Sequence, residues 1–267
     1  MQHSDLPPLA TLWIGEALTG IERLSAQSFL DHGHRLILYS YDPVANVPDG
    51  VEQRDAREVY DVGRILRYYG GKGSPSLHSN LFRYQLMAKT DQVWVDLDMI
   101  ALRPFDIKTD HICGWENEKH LNGAVLRLPA TSPALAELLR YGPDTYGRPW
   151  AAPWPRRLRW LVSMRGRKAP VTDWPWGSTG PTAVTYYMRK TGEIEHALPV
   201  AAFYPIPWTE VEKLIMDNGL SIDDFPQTYG IHLWGKFIHR ALQQIGGQPQ
   251  PGSILAQLMQ RHGVDTV

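Results

Sequence analysis

The sequence predicts an α/β fold with a mostly parallel central sheet, and three observations carry that prediction. Residues 9–14 form a short apolar run, residues 20–32 carry apolar side chains at roughly helical spacing, and residues 35–41 form a second apolar run. Strand, helix, strand at this spacing reads as a parallel βαβ unit. A third run, Gln92-Val93-Trp94-Val95, leads directly into two carboxylates, Asp96 and Asp98. An apolar run rich in β-branched and aromatic residues is the pattern of a strand buried on both faces.

Along the chain, Leu-Ala-Thr-Leu-Trp-Ile at 9–14 is the first strand and stops at Gly15. Ile21, Leu24, Phe29 and Leu30 mark the helix that Gly33 closes. The second strand, 35–41, is stopped by Asp42-Pro43. A short strand is expected at 51–57, a short helix at 61–68 and a glycine-rich loop at 70–75 that matches neither phosphate-loop fingerprint. Ser76 or Ser79 is placed to cap the next helix, which runs to about Lys89. On it Asn80 and Arg83, three apart, share a face. Strands follow at 112–117 and 121–128. A helix follows at 132–141, with Ser132 as cap and Pro133 in its first turn. Further helices are expected at 182–190 and 254–260.

At 267 residues the chain is long enough to bury a substantial core. An apolar fraction of 43% and a charged fraction of 21% are those of an ordinary globular protein. A formal net charge of −1 gives no reason to expect nucleic-acid binding by the whole surface. The single Cys113 excludes an intrachain disulfide, fits a reducing compartment and reads as a small buried apolar residue. Residues 1–8 lack the basic and apolar regions of a leader, and no stretch approaches the length of a spanning helix. These features give a cytoplasmic protein as the expectation.

Asp96 and Asp98 are two apart, so at the end of a strand they point to the same face. Two neighbouring carboxylates repel unless a cation lies between them, and oxygen ligands suit Mg²⁺ or Mn²⁺. A pair of turn aspartates capping the next element accounts for the same residues.

Ser79-Asn80-Leu81-Phe82-Arg83-Tyr84, followed by Val93-Trp94-Val95-Asp96-Leu97-Asp98, resembles the signature of GT-A fold glycosyltransferases of the sugar-binding-region family with the DXD motif. That group includes α-1,4-galactosyltransferase-like and capsular polysaccharide enzymes. Its usual pattern is Ser-Asp with an Arg three residues after that Asp. Here Asn80 stands in the place of the Asp, and Arg83 matches. The double glycine usual before the DXD strand is replaced by Thr90-Asp91-Gln92. The likeness covers approximately 9–129, with scattered matches towards the C-terminus.

The resemblance implies one GT-A (Rossmann-like) domain over 1–267. Its donor-binding part is about 9–129, its acceptor-side insertion about 142–180 and its C-terminal metal-site segment about 200–240. The expected donor is a nucleoside-diphosphate sugar, a UDP-sugar above all. Trp13 and Ile14 end the first strand, where such enzymes hold base and ribose. Trp13 either stacks on the base or packs as a core residue. Tyr41 is a second candidate for the nucleoside. Asn80 and Arg83 orient the sugar, Asp96 and Leu97 face the nucleotide, and Asn122 lies beside the donor unless it serves only its turn. Asp98, with Asp96, holds Mn²⁺ or Mg²⁺. In Tyr229-Gly230-Ile231-His232-Leu233-Trp234-Gly235-Lys236 the resemblance makes His232 the third protein ligand and Lys236 a phosphate contact. Asp96, Asp98, Arg83 and Asn80 form the catalytic set. Glu116, Trp176, Thr179, Gly180 and Trp234 are the acceptor-side candidates.

Residues 142–180 change character. Trp150, Trp154, Trp160, Trp174 and Trp176 occur among prolines and beside Arg156, Arg157, Arg159, Arg165, Arg167 and Lys168. This reads as an irregular insertion with a solvated basic face. Alternatively it is an acceptor-binding lid, or a peripheral contact between the 156–168 region and anionic headgroups at the inner face of a membrane. The acceptor would be a saccharide or a lipid-linked glycan. The expected activity is sugar transfer with retention of configuration. Two other readings share the Asp-x-Asp: a haloacid-dehalogenase-like phosphatase with Asp96 as nucleophile, and a carbohydrate-binding protein without catalysis.

Overall fold

The computed structural model describes residues 6–68 and 73–265. Part of the expected glycine-rich loop, residues 70–72, lies outside them, as do residues 1–5. In chain order the elements are β1 (Leu9–Trp13), α1 (Gly20–Asp31), β2 (Leu36–Ser40), β3 (Glu52–Asp55), α2 (Ser76–Lys89), β4 (Val93–Val95), β5 (Met99–Ala101), β6 (Ile112–Asn117) and β7 (His120–Arg127). There follow α3 (Pro133–Leu138), β8 (Tyr146–Gly147), α4 (Trp154–Ser163), β9 (Ala169–Pro170), α5 (Pro181–Thr191), α6 (Glu212–Ile215), β10 (Gly230–His232), α7 (Gly235–Gln244) and α8 (Ile254–His262). The fold is mixed α/β with a mostly parallel central sheet of six strands, consistent with the GT-A type. The chain divides into two compact units, one drawn from 1–55, 95–108 and 198–267 and the other from 56–94 and 109–197.

In the first unit β1, β2 and β3 run parallel, with Leu9 opposite Leu36 and Ile37 opposite Glu52. β1 and β2 are buried except at their last residues, which explains their nearly unbroken apolar sequences. Thr19 caps α1, and its N–H donates to Glu22 Oε2 at 2.9 Å. Its serines replace a strand neighbour for β5: Ser25 Oγ donates to Met99 O at 2.7 Å, and Ala101 N donates to Ser28 Oγ at 2.9 Å. The other edge of β5 pairs antiparallel with β10, Ile231 facing Ile100 and His232 facing Met99. Phe105 meets Phe29 and Tyr229 edge to face, and Phe203 packs against Phe105 at a tilt of 58°.

In the second unit β6 and β7 form an antiparallel hairpin interrupted by register shifts. α5 packs on β7, where Leu121 N donates to Thr185 Oγ1 at 3.0 Å. α3 is capped by Ser132 Oγ, which accepts from Leu135 N at 3.0 Å. The 142–180 region is not the irregular insertion its prolines suggest. It holds α4 and the β8/β9 pair, and it has an aromatic core of its own. Trp150 stacks on Tyr141 at 5.1 Å and meets Trp174 edge-on, while its Nε1 donates to Tyr187 OH at 2.6 Å.

Three local expectations are corrected. Residues 61–68 bend without forming a helix, the helical turn falling instead at Ala56–Glu58: Asp61, Gly63 and Arg64 are exposed, and the buried Leu66 and Tyr68 bond out of the segment, Leu66 N to His78 Nδ1 and Tyr68 N to Ser74 O. α2 takes neither Ser76 nor Ser79 as its cap; Pro75 holds that position and Ser74 Oγ accepts from Ser76 N at 3.3 Å. Asp96 and Asp98 do not end a continuing strand. Met99 N donates to Asp96 O at 3.1 Å, so they lie in a tight turn between β4 and β5. No helix among the described residues is long and apolar enough to cross a membrane.

Candidate metal and donor site

In the first unit one cluster stands out. Asp96, Asp98 and His232 each offer a ligand atom, and these atoms lie within 4.8 Å of one another. Two elements build it. The 96–99 turn brings both carboxylates to one side, and the β5/β10 ladder carries His232 to the position beside them. Leu233 N extends that ladder by donating to Asp98 O at 2.7 Å.

Asp98 is held at both oxygens. His232 Nε2 lies 3.1 Å from Oδ1, and Gly235 N donates to Oδ2 at 2.6 Å. Gly235 opens α7, so the carboxylate meets a helix N-terminus, where a negative charge is favoured. Burial pushes the Asp98 carboxyl up. Against it, the charge and hydrogen bond of His232 and the Gly235 N–H together hold the group below its ordinary value. The Asp98 carboxylate is therefore ionised at neutral pH. Gly235 permits this close approach, since a Cβ there would stand 3.0 Å from Asp98 Oδ2.

His232 is buried and its ring is clasped by two aromatics. Trp234 meets it at 4.2 Å and Tyr204 at 5.6 Å, the latter at 89°. Trp234 has φ +60° and ψ +56°, a left-handed conformation that costs a non-glycine residue about 1–2 kcal/mol. Its indole N–H donates to Ile206 O at 2.8 Å, which holds it there. Trp234 is thus a packing neighbour of His232 rather than an open acceptor platform. Two carboxylates and an imidazole, clustered and held by neighbours, fit a hard or borderline divalent cation such as Mn²⁺ or Mg²⁺. Lys236 is exposed in the first turn of α7, one residue past the Asp98 contact.

The same unit places Trp13, Ile14 and Tyr41 at the carboxyl ends of the parallel strands β1 and β2, where open α/β sheets bind ligands. Trp13 is half-buried, so it is not a core tryptophan. Its Nε1 donates to Ala17 O at 3.1 Å, and its ring lies over Gly15, where a Cβ would be 3.0 Å away. Leu97 is buried inside the 96–99 turn.

The remaining candidates belong to the second unit, where Asn80, Thr179 and Gly180 meet. Asn80 and Arg83 are both buried on α2. Asn80 Nδ2 donates to Thr179 Oγ1 at 3.4 Å and packs on Gly180 so closely that a Cβ there would stand 2.8 Å from it. Arg83 Nη1 donates to Gly123 O, and its guanidinium lies 4.5 Å over the Trp94 ring. Asn122, next in the chain, donates to Glu116 Oε2 at 2.8 Å and accepts from Ala124 N at 2.9 Å, so it holds the hairpin in shape and orients Glu116. Trp176 is exposed, with its indole N–H on Ser76 Oγ at 3.1 Å.

Two residues of this cluster escaped the sequence reading. Tyr68 OH lies 2.7 Å from Thr179 Oγ1 and accepts from Thr179 N at 3.1 Å, while Tyr84 OH donates to Thr179 O at 2.6 Å. Tyr84 was legible in principle, four residues after Asn80 on the same helical face. Tyr68 had no local signal, because its partner is 111 positions away.

Residues 170–267 match the family described as the alpha 1,4-glycosyltransferase conserved region. The matched segment contains His232, Trp234 and Lys236 and leaves out Asp96 and Asp98, so it extends the likeness from 9–129 to the C-terminal part. The chain is similar to the lactosylceramide 4-alpha-galactosyltransferases of Pan troglodytes, at 26% identity over 68% of this chain and 50% of that protein, and of Homo sapiens, at the same values. Against the Pongo pygmaeus protein of that name identity is 27% over 68% of this chain and 80% of the relative. The chain spans about half the length of the chimpanzee and human relatives it matches.

Proposed function

We propose that this chain, an α-1,4-galactosyltransferase-like glycosyltransferase by the matches just given, moves a sugar from a nucleoside-diphosphate sugar to a saccharide or lipid-linked glycan with the help of a divalent cation. The single observation that supports this most is the convergence of Asp96, Asp98 and His232. Those three residues would hold the ion, Mn²⁺ or Mg²⁺. When bound, it supplies positive charge against the diphosphate as the glycosidic bond of the donor breaks. Lys236, exposed in the first turn of α7, adds a second positive charge for the leaving group. Trp13 and Tyr41 would face the nucleoside, for which UDP is the first candidate. Asn80 and Arg83, fixed by Thr179 and Gly123, would orient the sugar. Among the described residues no side chain is placed as an evident covalent nucleophile. The proposed route is attack by the acceptor hydroxyl on the anomeric carbon from the face that the diphosphate leaves, its proton passing to the departing diphosphate, so that an α-linked donor gives an α-linked product.

The relatives named above act, by name, on lactosylceramide, a glycolipid, so a lipid-linked galactoside is the first acceptor to offer. The phosphatase reading is disfavoured: its nucleophile would be Asp96, which follows the fourth strand of the chain rather than the first. The test is UDP release from a panel of UDP-sugars, with Mn²⁺ or with EDTA, by wild type and by Asp98→Asn. Metal-dependent release from one sugar, lost in the variant, is the expected result. Turnover of a phosphate monoester without release of UDP from any sugar would refute the proposal.

A further inference from the structure

Helix α4 turns most of its surface to solvent. Trp160 is the buried residue among its ten. Trp154, Leu158, Leu161 and Val162 are 69%, 45%, 37% and 69% exposed. They fall at i, i+4, i+7 and i+8, which makes one continuous stripe along the helix. A helix of a globular domain normally buries such a stripe.

The charge around the stripe is of one sign. Arg157 and Arg159 flank it, and Arg165, Arg167 and Lys168 follow at the C-terminal end, all exposed. Residues 145–172 contain no Asp or Glu, and no ion pair among the described residues involves any of these five cations. The helix is held in place from behind. Arg156 Nη1 donates to Thr182 Oγ1 at 2.9 Å, and Arg148 Nε donates to Gly166 O at 2.9 Å. The first of these bonds fixes α4 to the opening turn of α5, directly after the Thr179-Gly180 turn.

We propose that α4 lies in the headgroup layer of a bilayer containing anionic lipids, with Trp154, Leu158, Leu161 and Val162 inserted and Arg157, Arg159, Arg165, Arg167 and Lys168 against the lipid phosphates. The composition favours this occupant over others. A tryptophan-bearing apolar stripe between cations is the pattern of a helix that lies in the membrane plane. Tryptophan prefers the interface itself. Each cation near an anionic surface strengthens binding roughly fivefold. A nucleic acid would engage the cations and leave the stripe in water. The purpose of the contact, presenting a lipid-linked acceptor near the 179–180 turn, rests on the glycosyltransferase reading; the contact itself does not.

The test is sedimentation of the full chain with phosphatidylcholine vesicles, with and without phosphatidylglycerol, at about 0.1 M salt. Binding is expected only to the anionic vesicles. The Trp154→Ser/Leu158→Ser/Val162→Ser variant should bind at least about tenfold more weakly. The Arg157→Gln/Arg159→Gln variant should bind roughly thirtyfold more weakly. Both should release UDP from the donor at the wild-type rate. Brominated lipids should quench wild-type tryptophan fluorescence more than that of Trp154→Phe, a readout that keeps the stripe. Absence of binding to anionic vesicles, or wild-type binding by the serine variant, would overturn the proposal. Heparin binding that matches vesicle binding and survives in the serine variant would also overturn it and make the surface a polyanion site. If vesicles bind as expected while no UDP-sugar is turned over, the membrane contact stands and the transferase reading fails.

Discussion

His232 Nε2 and Asp98 Oδ1 lie 3.1 Å apart, although 134 positions of chain separate the two residues. The β5/β10 ladder makes this contact, and the N–H of Gly235 completes the hold on the carboxylate. A hydrogen-bonded ladder positions side chains more closely than a free loop does, so the site is organised by its supports as much as by its ligands.

Gly235 is the most direct probe of that support. Its backbone is helical, so alanine fits the conformation and raises local helix propensity by up to about 1 kcal/mol. The added Cβ, 3.0 Å from Asp98 Oδ2, must move the carboxylate. Gly235→Ala should keep the wild-type melting temperature while metal-dependent UDP release falls about 10–100-fold. Full activity in this variant would show that the carboxylate position is not critical.

A second close approach links Gly180 to Asn80. A Cβ on Gly180 would lie 2.8 Å from Asn80 Nδ2 and displace that amide. Gly180→Ala alone should lower kcat/KM about tenfold or more, the size expected when a substrate-positioning group shifts. In an Asn80→Ala background the same change should cost much less, because the clash is gone. Equal losses in both backgrounds would place the effect of Gly180 elsewhere.

Thr179 accepts or donates at every polar atom: Tyr68, Tyr84 and Asn80 surround it. Thr179→Val keeps the shape and takes the hydroxyl away from its buried donor Asn80 Nδ2 and its buried partner Tyr68 OH. The expected cost is about 1–3 kcal/mol, seen as a lower urea midpoint at unchanged slope. Thr179→Ser should recover most of it. A neutral valine variant would mean that water replaces the hydroxyl.

The sequence carried the parts of this picture that depend on local pattern. The βαβ unit was legible from apolar runs on either side of a helical period. The pairing of Asp96 with Asp98 was legible from two residues of spacing, although a turn rather than strand alternation brings them together. α4 was hidden because Pro153 and Pro155 read as irregular chain. A proline in the first turn of a helix costs little, and that is where Pro155 lies. The clasp of Tyr204 and Trp234 on His232 was out of reach, since ring contacts between residues this far apart leave no periodic trace. The left-handed backbone of Trp234 was likewise invisible, because such a conformation is ordinarily announced by glycine.

His78 supplies a pH prediction independent of the metal site. It is fully buried in α2 and accepts from Leu66 N at Nδ1 over 3.2 Å, so the ring is neutral with its proton on Nε2. Burial, helped by the nearby Arg67 charge, pushes its pKa down to about 4 from 6.5. The folded state therefore binds fewer protons than the unfolded state between those values. Stability is full above pH 6.5 and falls as the pH drops towards 4, by about 3 kcal/mol from this group. His78→Asn, which keeps an acceptor at the same place, should flatten the stability profile in that window. An unchanged acid profile would mean that the ring stays solvated.

The most direct measurement of the central claim is a titration of the full chain with Mn²⁺, followed by electron paramagnetic resonance, with and without UDP. The account predicts one Mn²⁺ site, tightened by at least about tenfold when UDP is present, a coupling of about 1.4 kcal/mol. It predicts loss of that site in Asp98→Asn and in His232→Ala. An Mn²⁺ affinity that is the same in all three proteins and indifferent to UDP would contradict the assignment of Asp96, Asp98 and His232 as the metal and donor site.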